Sequence, residues 1–241
     1  MKFLWEVTEE IFTVETNKSC GLHVHLSVPD DQNWPIDRLQ RLSRSACWFE
    51  RALEALCPES RRGNKWAKSN RLDNPKLKNK TGRECFDLID QCKHHVDIMD
   101  LMNNGGDRYF AWNFTNLQYS HRCTVEWRRG PGVADPETYL DWVELVIAFA
   151  GSAMRFGTVG ELKGYSQDVE GLKEFINNGL VEKLNEPQRL KRIFGDISGA
   201  VDPIPVGTLS PSEREEVEKK AKEDERKNIM VKKILKATED K

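Results

Sequence analysis

The chain has 241 residues, 37 Lys and Arg against 39 Asp and Glu, a formal charge of -2, and 38% hydrophobic residues including seven Trp. That length and apolar share suit one large domain with an appendage, and the near-neutral balance excludes broad electrostatic capture of nucleic acid. The longest apolar-leaning stretch, Trp142 to Met154, is interrupted by Glu144 and is too short to span a bilayer, so neither nucleic acid nor membrane is an expected partner.

Three Glu lie within Met1 to Glu10, where a signal peptide would be apolar. Six cysteines are scattered without a Cys-x-x-Cys pair and read as reduced thiols. A cytoplasmic location is the expectation.

Ile11 to Thr16 and Leu22 to Val28 read as neighbouring strands joined by the turn chemistry of Asn17, Lys18 and Gly21. Trp34-Pro35 opens a helix with an apolar stripe from Ile36 to Leu56, closed by Pro58. A basic loop follows, from Ser60 to Lys80. A second amphipathic helix is expected over Glu84 to Met99, with Phe86, Ile89 and Val96 inward, and then a turn region from Asp97 to Asp107. Tyr109 to Gln118 and Arg122 to Arg129 read as a second strand pair.

Asp135-Pro136 is an N-cap with Pro at the first helical position, starting a helix to about Phe156 with Val143, Val146, Ile147 and Ala150 on its core face. Short helices follow around Gln167 to Asn177 and Pro187 to Phe194, then a Pro-containing linker from Asp202 to Gly207. Ser210-Pro211-Ser212-Glu213 is a capping box opening a segment in which 19 of the last 30 residues are charged, a solvated helix or tail.

Chemistry concentrates on two strands. In Cys20-Gly21-Leu22-His23-Val24-His25-Leu26-Ser27-Val28, alternation puts Leu22, Val24, Leu26 and Val28 on one face and His23, His25 and Ser27 on the other. The imidazoles then lie about 6.6 Å apart along the strand, close enough to serve one metal–nucleotide site. A His-x-His alone is as readily a solvated face with incidental histidines. In Cys123 to Arg129, Cys123, Val125 and Trp127 face the core while Thr124, Glu126 and Arg128 face away. Glu126 beside Arg128 is either a surface ion pair worth under about 1 kcal/mol, or a metal ligand next to an anion clamp. Two strands with titratable polar faces together favour a site on an antiparallel sheet. Arg71 ends Ser69-Asn70-Arg71 in the basic loop, and Arg108 precedes the amides Asn113 and Asn116; all four suit that site, or ordinary surface and turn roles.

These runs carry a resemblance. Gly-Leu-His-Val-His-Leu-Ser is similar to the His strand of glutamine synthetase, and Thr-Val-Glu-Trp-Arg-Arg, followed by Gly-Pro-Gly and a long helix, is similar to a later strand of that superfamily. The closer resemblance is to the amidoligase family of carboxylate–amine ligases, whose members show Cys-Gly-x-His-Val-His, Ser-Asn-Arg, Arg-Tyr with Trp-Asn-x-x-Asn-Leu, and Thr-Val-Glu-Phe-Arg; similar runs occur here in that order from Cys20 to Arg129, the last with Trp127 in place of Phe. The likeness extends to about Phe156.

The resemblance implies an α+β fold. An antiparallel glutamine synthetase-like catalytic sheet carries helices on one face over 1–160, with a helical extension over 161–209 and a charged helix or tail over 210–241. It implies ATP with Mg²⁺ or Mn²⁺, and small-molecule or peptide carboxylate and amine substrates joined through an acyl phosphate. His23 matches a metal-binding His, His25 one that contacts nucleotide phosphate, Glu126 a metal-ligating Glu, and Arg128 an Arg that meets transferred phosphoryl oxygens, helped by Arg71 or Arg108. Ser27, Asn113 and Asn116 complete the nucleotide side.

The chain departs from the family pattern at its front. Nineteen residues precede Cys20, and Glu9, Glu10 and Glu15 do not make the family's Glu-x-Glu strand. A fragment of a longer protein, or a member that has lost part of a metal site, is therefore expected. Three functions follow: an ATP-dependent amidoligase, a catalytically degenerate relative that retains the fold, and a metal-dependent hydrolase using His23, His25 and Glu126. A sheet lacking its first strands can complete itself against a second copy, which leaves a homo-oligomer open.

Overall fold

A computed structural model describes residues 2–28, 33–118, 123–180 and 188–239. The chain divides into two units, Met1–Pro205 and Val206–Lys241. The first mixes helices with a small antiparallel sheet, as an α+β chain should. Its elements are α1 (Lys2–Ile11), β1 (Gly21–Leu26), α2 (Ile36–Trp48), α3 (Glu50–Leu56), α4 (Gly82–Gln91), α5 (His95–Met102), β2 (Trp112–Asn113), β3 (Val125–Pro131), α6 (Pro136–Phe156), α7 (Val159–Leu162), α8 (Val169–Gly179) and α9 (Gln188–Phe194). The second unit is α10 (Pro211–Glu239), opened by the Ser210–Glu213 capping box. No helix among the described residues is long and apolar enough to cross a membrane.

The sheet runs β1-β3-β2, with β3 in the middle. Its apolar face carries Leu22, Val24, Val125, Trp127 and Trp112, all buried. Helix α6 lies across that face, stacking Trp142 on Trp127 at 5.6 Å and setting Phe149 against Trp112 at 5.4 Å. Each such side chain contributes about 1.5–3 kcal/mol by leaving water. The start and end of α6 are those expected: Asp135 accepts from the Thr138 amide and Gly157 closes the helix.

Several elements differ from the sequence expectation. Ile11 to Thr16 is not a strand: α1 runs through Ile11, and the following residues form no ladder. Strand propensity needs cross-strand neighbours to act, and here Ile11 and Phe12 are 65% exposed. The helix expected from Trp34 to Leu56 is broken at Phe49, whose φ of -97° and ψ of 14° separate α2 from α3.

The helix expected over Glu84 to Met99 is likewise two. Asp97 accepts from the amides of Lys93 and His94, and this cap restarts the chain as α5 with a new phase. Val96 is consequently exposed, Ile98 takes the core position, and the helix continues to Met102 through what reads as a turn region. Tyr109 to Gln118 contributes only Trp112–Asn113 to the sheet, because the Asn113 side-chain oxygen Oδ1 accepts from the Thr115 backbone amide and turns the chain into a 3₁₀ segment. In α6, Val146 and Ala150 are buried as expected, Val143 is half-buried, and Ile147 is exposed. Arg122 and Pro187, expected as element starts, lie outside the described residues.

Candidate functional site

The polar face of the sheet is organised around one carboxylate. Glu126 sits in the central strand opposite His25 on β1 and Asn113 on β2, and it is only 1% exposed. One carboxylate oxygen, Oε1, accepts from Arg128 at 2.7 Å and lies 2.9 Å from His23 Nδ1 and 3.4 Å from His25 Nε2; the other, Oε2, accepts from the Asn113 amide at 2.8 Å. Such burial excludes a surface ion pair. Burial alone would push the Glu126 carboxyl up, but hydrogen bonds from His23, His25 and Asn113, with the charge of Arg128, outweigh it and hold the group well below the usual carboxylate range.

Backbone geometry aims these side chains. Between Leu22 and Val24 of β1 lies one residue, His23, whereas between Gly130 and Trp127 of β3 lie two, Arg129 and Arg128. This is a β-bulge, one extra residue in β3 beside the site, and the two adjacent arginines lie on opposite faces as strand alternation requires. Arg128 turns to Glu126; Arg129 turns into the core, where it pairs with buried Glu54 and donates to the Ala67 carbonyl. Arg61 reaches under the bulge and donates to the carbonyls of Cys20, Arg128 and Arg129. Its guanidinium passes so close to Gly21 that a Cβ there would lie 2.9 Å from Nη2, which gives the Cys-Gly of the His strand a physical reason. The side chain of Arg128 also packs over the Tyr109 ring at 5.6 Å, and Tyr109 meets Trp66 edge-on at 4.9 Å.

The expected site residues are therefore gathered unequally. His23, His25, Glu126, Arg128 and Asn113 meet directly. Asn116 joins through Thr124: its amide donates to the Thr124 hydroxyl, which lies 3.2 Å from His25 Nδ1. Ser27 lines a groove beside β1. Arg108 stands next to Tyr109 in the segment leading to β2. Arg71 is brought elsewhere: it donates to the Lys80 carbonyl and meets the Cys85 thiol, while Ser69 and Asn70 anchor the buried Glu50 carboxylate. Arg61 was missed as part of this arrangement; the glycine at position 21 was the one readable sign of its close approach.

The groove has a volume of about 540 Å³. One wall is β1 from His23 to Ser27; the other is α6, through Tyr139, Val143, Ile147, Ala150, Gly151 and Met154, with Trp34 closing it.

The residues present do not make a cage for Mg²⁺ or Mn²⁺. Among the described residues no three His, Cys, Asp or Glu side chains are grouped to hold a metal ion. Glu126 is the one carboxylate among the described residues paired with the two imidazoles, and the oxygen nearest them already carries the Arg128 guanidinium. A hard cation needs several anionic or neutral oxygens instead.

A sheet face with two imidazoles, a guanidinium and one buried carboxylate suits an anion-handling enzyme site. The family model described as "putative amidoligase enzyme" matches residues 1–150. The chain belongs to this amidoligase family, which points to a ligase-type function. Comparison with curated proteins and with solved structures found no match.

Proposed function

We propose that the chain is an ATP-dependent carboxylate–amine ligase of the glutamine synthetase-like kind, forming an amide through an acyl phosphate. The observation that carries this reading is the buried Glu126 holding His23, His25 and Arg128 together on one sheet face in a member of the amidoligase family.

A carboxylate has no leaving group, so one of its oxygens first bonds the γ-phosphorus of ATP as the bond to the β-phosphate oxygen breaks and ADP departs. The amine nitrogen then bonds the acyl carbon, the carbon–oxygen bond to phosphate breaks, and phosphate leaves. The protein's part is alignment and charge compensation. Arg128, fixed by Glu126 and by the Trp66 carbonyl, presents a guanidinium to phosphoryl or carboxylate oxygens. His25 stands beside it, held between the Thr124 hydroxyl and the Glu126 carboxylate, and shapes that side of the site. With Nδ1–H of partly exposed His23 given to Glu126, its Nε2 is left as the atom that takes the proton released by the attacking amine. The divalent cation enters as part of the metal–ATP substrate.

One observation favours a second reading. A site with a single carboxylate among the described residues suits a nucleotide-binding relative without turnover. Calorimetric titration of ATP, with Mg²⁺ and then Mn²⁺, into the native chain and into His25→Ala tests both. Binding by the native chain, weakened severalfold in His25→Ala, supports a nucleotide site; no binding by the native chain removes ATP from the account. Bound ATP without ADP release over a broad pool of amines and carboxylates would select the second reading.

A further inference from the structure

The end of β2 and the 3₁₀ turn after it supply two amides to the site. Asn113 reaches Glu126 directly, and its orientation is fixed at both ends: Oδ1 accepts from the Thr115 backbone amide, so the NH₂ group is the end that donates to Glu126 Oε2. Buried Asn116 is joined to the other carboxylate oxygen through two side chains. Its Nδ2 donates to the Thr124 hydroxyl at 3.1 Å, that hydroxyl lies 3.2 Å from His25 Nδ1, and His25 Nε2 lies 3.4 Å from Glu126 Oε1.

The chemistry of these groups orders the series in one direction. The Glu126 carboxyl is held as an anion and can only accept, so His25 Nε2 carries a proton. A neutral imidazole has one N–H, which leaves Nδ1 as an acceptor. The single proton of the Thr124 hydroxyl goes to Nδ1, and its lone pairs take the Asn116 amide. The direction that the carboxylate imposes at one end is the direction in which the buried amide stands at the other. His23 is set the opposite way, since its Nδ1, 2.9 Å from the same Oε1, carries the proton. The two imidazoles therefore hold opposite tautomers on one carboxylate oxygen.

We propose that Thr124 and Asn116 are positioning residues that lock His25 in the Nε2–H tautomer. Neither nitrogen of His25 is then left for a substrate, and His23 Nε2 is the one imidazole lone pair that the described residues present at the site. This puts Asn116, which the family resemblance sets on the nucleotide side, behind His25 rather than against ATP. The order of hydrogen bonds stands on geometry alone; its consequence for proton transfer rests on the ligase reading.

The test reads ¹⁵N chemical shifts of the histidine side chains in the ligand-free full chain at about pH 8, where an ordinary imidazole is neutral. Protonated and bare ring nitrogens have widely separated shifts, and the His25 pair is assigned by its loss in His25→Gln. The native chain should show a bare Nδ1 and a protonated Nε2. Thr124→Val, checked by thermal melt, removes the donor and should draw both shifts toward the average of two tautomers, while Thr124→Ser keeps the hydroxyl and the native pattern. Asn116→Asp offers the hydroxyl an acceptor in place of a donor, which reverses the series and should put a proton on Nδ1.

A protonated Nδ1 in the native chain, tautomer-averaged native shifts, or a Thr124→Val chain with the native pattern overturns the lock. None of these readings needs ATP, so a chain that binds no ATP loses the ligase reading and keeps the lock. Where ADP is released with carboxylate and amine present, Thr124→Val should slow its release about fivefold, the worth of one hydrogen bond, at unchanged ATP affinity, and Thr124→Ser should restore it. A loss of ATP affinity with unchanged turnover at saturation would make Thr124 a nucleotide contact and overturn the positioning role.

Discussion

Glu126→Gln perturbs the site most directly, because one carboxylate holds the whole arrangement. Glutamine preserves the shape, removes the charge, and sets an NH₂ group against at least one of the donors from His23, His25, Arg128 or Asn113. Arg128, 5% exposed, is then a buried guanidinium without its anion. Removing one partner of a buried pair costs about 3–5 kcal/mol, and each kcal/mol moves the melting midpoint of a domain this size by about 2–4 °C. The midpoint should therefore fall by about 6–20 °C.

The pH dependence carries a sign. The carboxyl is held below its ordinary value in the folded state, so its contribution is present above the unfolded pKa of about 4.3 and is lost as pH falls through the folded one. Scanning calorimetry of both forms should show their difference narrowing below about pH 4.3, since Gln does not titrate there. A midpoint shift of less than about 3 °C at pH 7, the size of a surface pair, would refute the reasoning.

Other outcomes follow from the same packing. Gly130→Ala would put a Cβ 2.9 Å from Leu22 Cβ and 3.0 Å from its carbonyl oxygen, so the bulge must shift and chemical denaturation should show a loss of about 1–3 kcal/mol. Deleting 210–241, most of the separate unit Val206–Lys241, should move the melting midpoint of the remainder by less than about 10 °C. Burial pushes the Cys57 thiol up to about 12 and the Cys92 thiol to about 11. At pH 8 a thiol reagent should therefore modify half-buried Cys20 quickly and those two only after denaturation.

The sequence carried the faces of the site better than its geometry. Period-two alternation in Leu22 to Val28 and in Cys123 to Trp127 is a local property, and it placed His23, His25 and Glu126 on one face. The bulge is not local. It is defined by pairing with β1, so nothing in Arg128-Arg129-Gly130 announces the extra residue: alternation sets Arg128 beside Glu126, while the buried Glu54 partner of Arg129 comes from a distant helix. The contacts of Arg71 were illegible for a similar reason. A guanidinium at the end of a basic loop suggests an anion, whereas its partners Lys80 and Cys85 come from a turn and a helix that the motif does not reveal. Ile147 fits the core stripe of α6 by spacing, and only the order of strands shows that it faces a groove beyond the sheet edge. Helix ends set by side-chain caps, at Asp135 and Ser210, were legible because the cap and the helix are neighbours in sequence.

The central claim is that a carboxylate is activated by phosphorylation at the His23, His25, Arg128 and Glu126 face. The most direct measurement incubates the chain with ATP, an amine pool and a pool of small-molecule and peptide carboxylates labelled with ¹⁸O, and follows the phosphate released by mass spectrometry. An acyl phosphate transfers one carboxylate oxygen to phosphate, so labelled phosphate should appear with ADP, and Arg128→Gln should abolish it. Unlabelled phosphate with ADP, or AMP in place of ADP, would contradict the account.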